Sequence, residues 1–245
     1  MLSNIAVIAK REFKSYFLSP IAYVFMVIFL ILAGYFPLMQ DNFFEGNEAS
    51  LNLFFSWHPI LFLVLVPAIG MHSWANERNI GTMELLFTMP ISVTEAIIGK
   101  FLAAWGFLTL TLLSTFPIVI TVGYLGTPDY GPIICGYIGS FLLSGTYLGV
   151  STAISATTKD QVVTYIVSAV TCLLLMIVGM PGIAESLSSW APNWLIEVIT
   201  SFSTLTYFTN LQRGVIDLKD IVYYLSIIIF SQIATWIILK NHRNI

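Results

Sequence analysis

Hydrophobic and polar positions along this chain alternate in long blocks, with no short strand-like period. A helix needs roughly 20 apolar residues to cross a hydrocarbon layer of about 30 Å, and six blocks reach or approach that length: 20–40, 57–73, 96–125, 132–157, 161–180 and 221–239. Pro20 stands at a first-turn position of the first block, where its missing N–H is harmless, and Pro117 inside the long third block predicts a kink there. Before the first block, residues 4–18 repeat Ile5, Ile8, Ala9, Phe13 and Tyr16/Phe17 at helical spacing beside Lys10, Arg11 and Lys14. That pattern predicts an amphipathic helix lying along a membrane face. The segment 181–220 carries Trp190, Trp194, Phe202, Tyr207 and Phe208, residues suited to a membrane–water boundary, and predicts short helices on or dipping into the outer leaflet. The expected architecture is therefore an all-α polytopic membrane protein, one transmembrane domain over 1–245, with an interfacial helix at 1–19 and, at 74–95, a cytosolic polar crossing that passes between two spans on the inner face.

Composition agrees with this pattern. Of 245 residues 57% are apolar and 9% charged, against about 25% charged in a soluble domain, and the mean hydropathy is +0.86. The net charge of −3 says little; the placement of the basic residues says more. With the N-terminus inside, Lys10, Arg11, Lys14, Arg78, Lys100, Lys159, Lys240 and Arg243 are cytosolic and only Arg213 and Lys219 lie outside, eight against two. The excess of inside positive charge predicts cytosolic N- and C-termini. No cleavable signal peptide is expected, because the basic residues fall late in the first 19 and no small-residue cleavage site follows. Cys135 and Cys172 sit in apolar blocks outside any CxxC pair and read as buried thiols.

The crossing between the second and third blocks is the most informative stretch. Gly81 and Thr82 can start a short helix and Pro90 should end it. Ser92 followed by Glu95 forms a capping box for the next span. Between them Met83-Glu84-Leu85-Leu86-Phe87 is apolar yet far too short to cross a membrane. Its side chains must pack on the bundle, on lipid, or in a groove of another protein.

These residues carry a resemblance. Glu77-Arg78-x-x-Gly81-Thr82-x-Glu84-Leu85-Leu86, then Pro90-Ile91-Ser92, Glu95 and Gly99-Lys100, resembles the cytosolic loop of type-2 ABC exporter permeases. The N-terminal Lys10-Arg11-Glu12-Phe13-Lys14-x-Tyr16-Phe17-x-Ser19-Pro20-Ile21-Ala22-Tyr23 extends the match toward gliding-motility-type and copper-processing-type members. The resemblance implies two six-span permease halves, identical or related, working with two cytosolic ATPase subunits in a bacterial inner membrane. For gliding-type systems it further implies an auxiliary membrane protein with a large outer domain. It makes residues 82–88 the coupling helix, with Glu84, Leu85, Leu86 and Phe87 as ATPase contacts. Glu77 and Arg78 would fix its entry, and Lys159 and Asp160 would supply a second inner contact.

A phosphate-binding loop, Gly-x-x-x-x-Gly-Lys-[Ser/Thr], is missing: Gly99-Lys100 has Thr94 in place of the upstream glycine and Phe101 after it. ATP and Mg²⁺ thus belong to a partner chain, no cofactor or metal is expected here, and Lys100 reads as a residue snorkelling at the inner end of the third span. Nothing points to nucleic acid. The fourth block holds Gly136, Ser140, Ser144, Gly145, Gly149 and Ala153, small residues that let helices approach closely in lipid. Packing within one chain is favoured over a contact between copies. The span cores lack Asp, Glu, Lys and Arg, unlike proton- or sodium-driven carriers.

Two other readings compete. A non-transporting scaffold would keep the topology without a coupling helix. An intramembrane hydrolase would need a serine such as Ser140, Ser144 or Ser151 beside a base, yet His58, His72 and His242 fall near span ends or in the tail. The orientation predicts that a cysteine at Asn47 reacts with an impermeant maleimide added outside the cell, whereas one at Asn79 reacts only after lysis. Reversed labelling overturns it.

Overall fold

The computed structural model describes residues 2–37, 50–83, 91–180, 182 and 192–243, and every described element is helical. In chain order the helices are α1 (Leu2–Leu18), α2 (Pro20–Tyr35), α3 (Asn52–Ser56), α4 (His58–Gly70), α5 (Ala75–Ile80), α6 (Val93–Leu113) and α7 (Phe116–Leu125). They continue with α8 (Tyr130–Ser155), α9 (Gln161–Ile177), α10 (Asn193–Thr200), α11 (Thr204–Gln212) and α12 (Leu218–Arg243). Among the described residues four stretches are long and apolar enough to cross a membrane: His58–Ile80, Val93–Leu125, Tyr130–Ser155 and Leu218–Asn241. A fifth arises if α1 and α2, bent by 74° at their junction, count as one. The apolar α9, 17 residues, spans about 25 Å at 1.5 Å per residue, just under a full crossing.

The third apolar block is broken where Pro117 predicts. Pro117 opens α7 at its first turn, and Ser114 and Thr115 form the break. The Thr115 hydroxyl lies 2.6 Å from the Leu112 carbonyl and 2.9 Å from the Tyr137 hydroxyl, so groups at the interruption find partners away from lipid.

α8 is the axis of the bundle. Of its span window 78% is buried, against 22% for α12, and α4, α6, α9, α11 and α12 all pack on it. Its small residues decide who approaches where. A Cβ at Gly136 would come within 2.6 Å of the Phe55 ring, one at Gly145 within 2.7 Å of Trp105 on α6, and one at Gly149 within 3.3 Å of Ser231 on α12. The glycines therefore serve packing inside one chain, each toward a different neighbour. The helix buries its hydroxyls by satisfying them itself: Ser140 donates to the Gly136 carbonyl at 2.8 Å, Thr146 to Leu142 at 3.1 Å and Ser151 to Tyr147 at 2.8 Å. Such back-bonding meets the demand that polar groups away from water be paired.

The fold gives partners to two segments expected at the membrane faces. The helix expected at 4–18 forms as α1, and its apolar stripe packs on α6: Ile8 abuts Gly99, Phe13 lies over Gly106, and Tyr16 stacks on Phe107 at 5.2 Å. Of the segment before the last span, expected to lie on or dip into the outer leaflet, α11 packs against the bundle. α11 starts against the end of α9, where the Thr204 hydroxyl donates to the Leu175 carbonyl at 3.5 Å. The same hydroxyl lies 3.2 Å from that of Tyr147 on α8, and α11 places Phe208 and Leu211 against Gly139 of α8. α11 thus fills the bundle beside α8 beyond the point where the short α9 stops.

Trp105 is held by stacking on Phe141 at 4.2 Å and by its indole N–H donating to the Phe141 carbonyl at 3.0 Å, so it cannot easily yield. Gly145→Ala should lower stability by about 1–3 kcal/mol through overpacking, read as thermal unfolding in detergent. Gly34→Ala, with nothing within 4 Å of the new methyl, should be neutral or stabilising by up to about 1 kcal/mol.

Candidate functional site

The residues that lead into and out of the 84–90 stretch converge at one end of the bundle. The first backbone amides of a helix have no partner within it, and those entering α5 are met by a side chain 80 residues away. Trp74 and Ala75 both donate their N–H to Ser155 Oγ, at 3.0 and 2.9 Å. The same hydroxyl donates to the Met71 carbonyl at 3.1 Å. Arg78 on α5 donates to the Ala156 carbonyl at 2.6 Å, covering the end of α8, and Gln161 at the start of α9 donates to Asn76 Oδ1 at 2.9 Å. α5 is thereby stitched to the turn between α8 and α9.

Lys100 supplies the second tie. It points inward and is 9% exposed, with Nζ 2.6 Å from Glu77 Oε1, 3.3 Å from the Ser73 carbonyl, and 3.9 Å from Glu12 Oε1 of α1. It also lies 5.1 Å above the Trp74 ring. This corrects the snorkelling expectation: a carboxylate 23 positions earlier answers the ammonium better than the interface does. At the head of α6 the capping box forms as the sequence predicts, with the Glu95 N–H donating to Ser92 Oγ at 3.3 Å and the Ser92 N–H donating to Glu95 Oε2 at 2.9 Å. Asn4 of α1 donates to Glu95 Oε1 at 3.3 Å. Gly99 is where Ile8 seats, a packing reason for the glycine of the Gly-Lys pair.

α5 ends at Gly81, whose φ of +76° is left-handed, a conformation that costs glycine least. Thr82 Oγ1 donates to the Glu77 carbonyl at 3.4 Å. Glu84, Leu85, Leu86, Phe87 and Pro90 lie outside the described residues. Of the second inner pair, Asp160 caps α9 by accepting from the Val162 and Val163 amides at 2.7 and 3.3 Å, while Lys159 is exposed. Glu77, Arg78, Gly81 and Thr82 thus stand together, and the 156–161 turn stands beside them. Gly136, Ser140, Gly145 and Gly149 lie elsewhere, along α8. Missed from sequence were Asn76, Ser155 and Gln161, whose only signal was being polar at block ends.

The expectation that no histidine stands beside the serines of α8 is corrected by the fold: Ser140 Oγ lies 3.0 Å from His58 Nδ1. Both are fully buried, with Phe29 and Phe62 stacked on the imidazole and Phe54 at its edge. Ser140 Oγ is also 2.8 Å from the Gly136 carbonyl, which can only accept. An Nδ1–H tautomer donating to the hydroxyl satisfies all three groups, and the pair packs α4 on α8.

The family profile described as ABC-2 family transporter protein matches residues 34–240. The chain belongs to that family. It is accordingly a multi-pass membrane permease component of an ABC transporter, a transport subunit whose family works with an ABC ATPase. A comparison with curated proteins found no match. Within the ABC-2 framework the cluster around α5 is the candidate functional site, because it forms the base of the polar crossing.

Lys100→Met strands the partly buried Glu77 carboxylate and should cost about 1–3 kcal/mol. The double variant Lys100→Met with Glu77→Gln should recover at least half of that loss in thermal unfolding. Strictly additive losses would show that the pair is not coupled.

Proposed function

We propose that the chain is the permease half of an ATP-driven exporter and that residues 82–88 are its coupling helix. The observation that carries this reading is the stitched base beneath that segment: Glu77–Lys100, Arg78–Ala156 and Gln161–Asn76 tie α5 to α6, α8 and α9 at once. A short apolar element on such a base acts as a lever. Force applied to it reaches four helices without being absorbed in a floppy loop, which suits rigid-body switching between two bundle states.

On this reading Glu84, Leu85, Leu86 and Phe87 enter a groove of a cytosolic ATPase subunit, with Glu77, Arg78, Gly81 and Thr82 setting the angle of entry and Pro90 ending the element. Lys159 lies on the neighbouring turn as a second contact, while Asp160 stiffens that turn from within. ATP and Mg²⁺ reside in the ATPase. The full assembly has two permease subunits and two ATPases, with the gliding-motility or copper-processing type as the nearest kind, in a bacterial inner membrane. The six-span topology with cytosolic termini rests on the apolar blocks and the eight-to-two basic bias. α2 and α9, each helical and apolar at 16 and 17 residues, supply the two crossings beyond the four long ones.

The test is co-purification. The wild-type chain should bring down an ATPase subunit. Glu84→Lys, or Leu85 and Leu86 both changed to Asp, should cut recovery of that subunit roughly tenfold or more, about 1.4 kcal/mol per tenfold, with membrane insertion unchanged. Retained binding removes the coupling-helix assignment, and a wild-type chain that binds no ATPase removes the permease reading with it.

A further inference from the structure

At the same end of the bundle a cavity of about 590 Å³ opens between α1, α2, α4, α6 and α9, within the roughly 300–1,000 Å³ typical of ligand sites. Its walls are graded. One end is polar, lined among others by Glu12, Ser15, His72, Asn76, Glu77 and Lys100; the other is apolar, with Val24, Phe25, Ile28, Leu65 and Phe107. Lys100 and Phe107 are seven positions apart on α6, so the change from polar to apolar takes about 10 Å at 1.5 Å per residue. Val24 and Ile28 at the apolar end are 56% and 41% exposed. The cavity therefore opens sideways, where the span α2 meets hydrocarbon, as well as toward the polar end.

We infer that this cavity holds a membrane lipid, its head among the polar groups and an acyl chain against α2 and α4. Charge selects the kind of head. The lining has two carboxylates, Glu12 and Glu77, and one ammonium, Lys100. That ammonium is already engaged by Glu77, the Ser73 carbonyl and Glu12. Glu12 is in turn held by Arg11 at 2.8 Å, so each carboxylate has its cation. The acceptor left over is Glu77 Oε2, buried without a hydrogen-bond partner among the described residues. The site therefore favours a head that carries N–H or O–H donors and no net negative charge. An acidic head would face two carboxylates with the one lining cation already committed. Assigning the lipid to the cytosolic leaflet, as a molecule taken up for export, rests on the permease reading above; occupancy of the cavity does not.

The test uses the purified full chain in phosphatidylcholine vesicles doped with diacyl lipids carrying a diazirine in the acyl chain and an ethanolamine, choline or glycerol phosphate head. Mass spectrometry of cross-linked peptides reads the site. The ethanolamine probe should label 24–28 and 65–69 several-fold more than the other two. Ala68→Trp, which fills the cavity wall, should abolish that preference while labelling of the exposed face of α12 stays the same. Ser15→Trp on the opposite wall repeats the test if Ala68→Trp does not fold. Equal labelling by all heads, preference for choline or glycerol, no labelling of these segments, or an unchanged pattern in both blocking variants overturns the inference. A second copy seated on this face would exclude all three probes alike. Since no ATPase takes part, failure here leaves the coupling assignment standing, and loss of ATPase binding would leave this result readable.

Discussion

The close approach of neighbouring helices to α8 is the constraint on which the rest of the molecule depends. In lipid there is no gain from hiding one apolar surface against another, so association relies on van der Waals contact at short range. Gly136, Gly145 and Gly149 supply that range by leaving out a side chain where Phe55, Trp105 and Ser231 press in. Ser140, Thr146 and Ser151 of the same helix fold their hydroxyls back on its own carbonyls, so these buried donors are paired. Any side chain larger than hydrogen at Gly145 would have to displace a tryptophan already stacked and hydrogen-bonded.

With α8 fixed, its two ends take on different work. At the far end α11 and Tyr224 close over the short α9, through Thr204, whose carbonyl accepts from the Tyr224 hydroxyl at 2.8 Å. At the basic end, Ser155 and the Ala156 carbonyl become docking points for α5. The polar crossing is therefore anchored to the most buried helix of the bundle. Its other anchor, the Glu77–Lys100 pair, joins it to α6. Partly desolvated ion pairs add little net stability but penalise rearrangements that separate them, a property suited to an element that must move as one piece.

The same pair closes the polar end of the cavity, so α5, α1 and the cavity share one wall. Movement of the crossing would carry Glu77 and Asn76 with it and change the head end of the cavity. The apolar end, made by α2 and α4, would be left largely as it is. On the proposed readings, coupling and binding are two faces of one junction, held by contacts between segments that are distant in sequence.

Sequence alone determined whatever depends on a block's own composition or on neighbours a turn away. The apolar blocks, the break at Pro117, the Ser92–Glu95 cap and the buried cysteines are of this kind, because hydropathy, proline's missing N–H and a capping hydrogen bond act over a few residues. The family was legible for a related reason, as its marks are a contiguous run around Glu77–Leu86. Tertiary structure alone decided partners far apart in the chain. Lys100 reads as an interface residue until Glu77 is brought to it; Ser140 and His58 are 82 positions apart; α11 could lie on the surface or dip inward until its contacts with Leu175 and Gly139 are seen. Each glycine of α8 also says only that something comes close, and the fold names what. Periodicity records which face of a helix is apolar, but which helix meets that face is set by packing against the whole bundle.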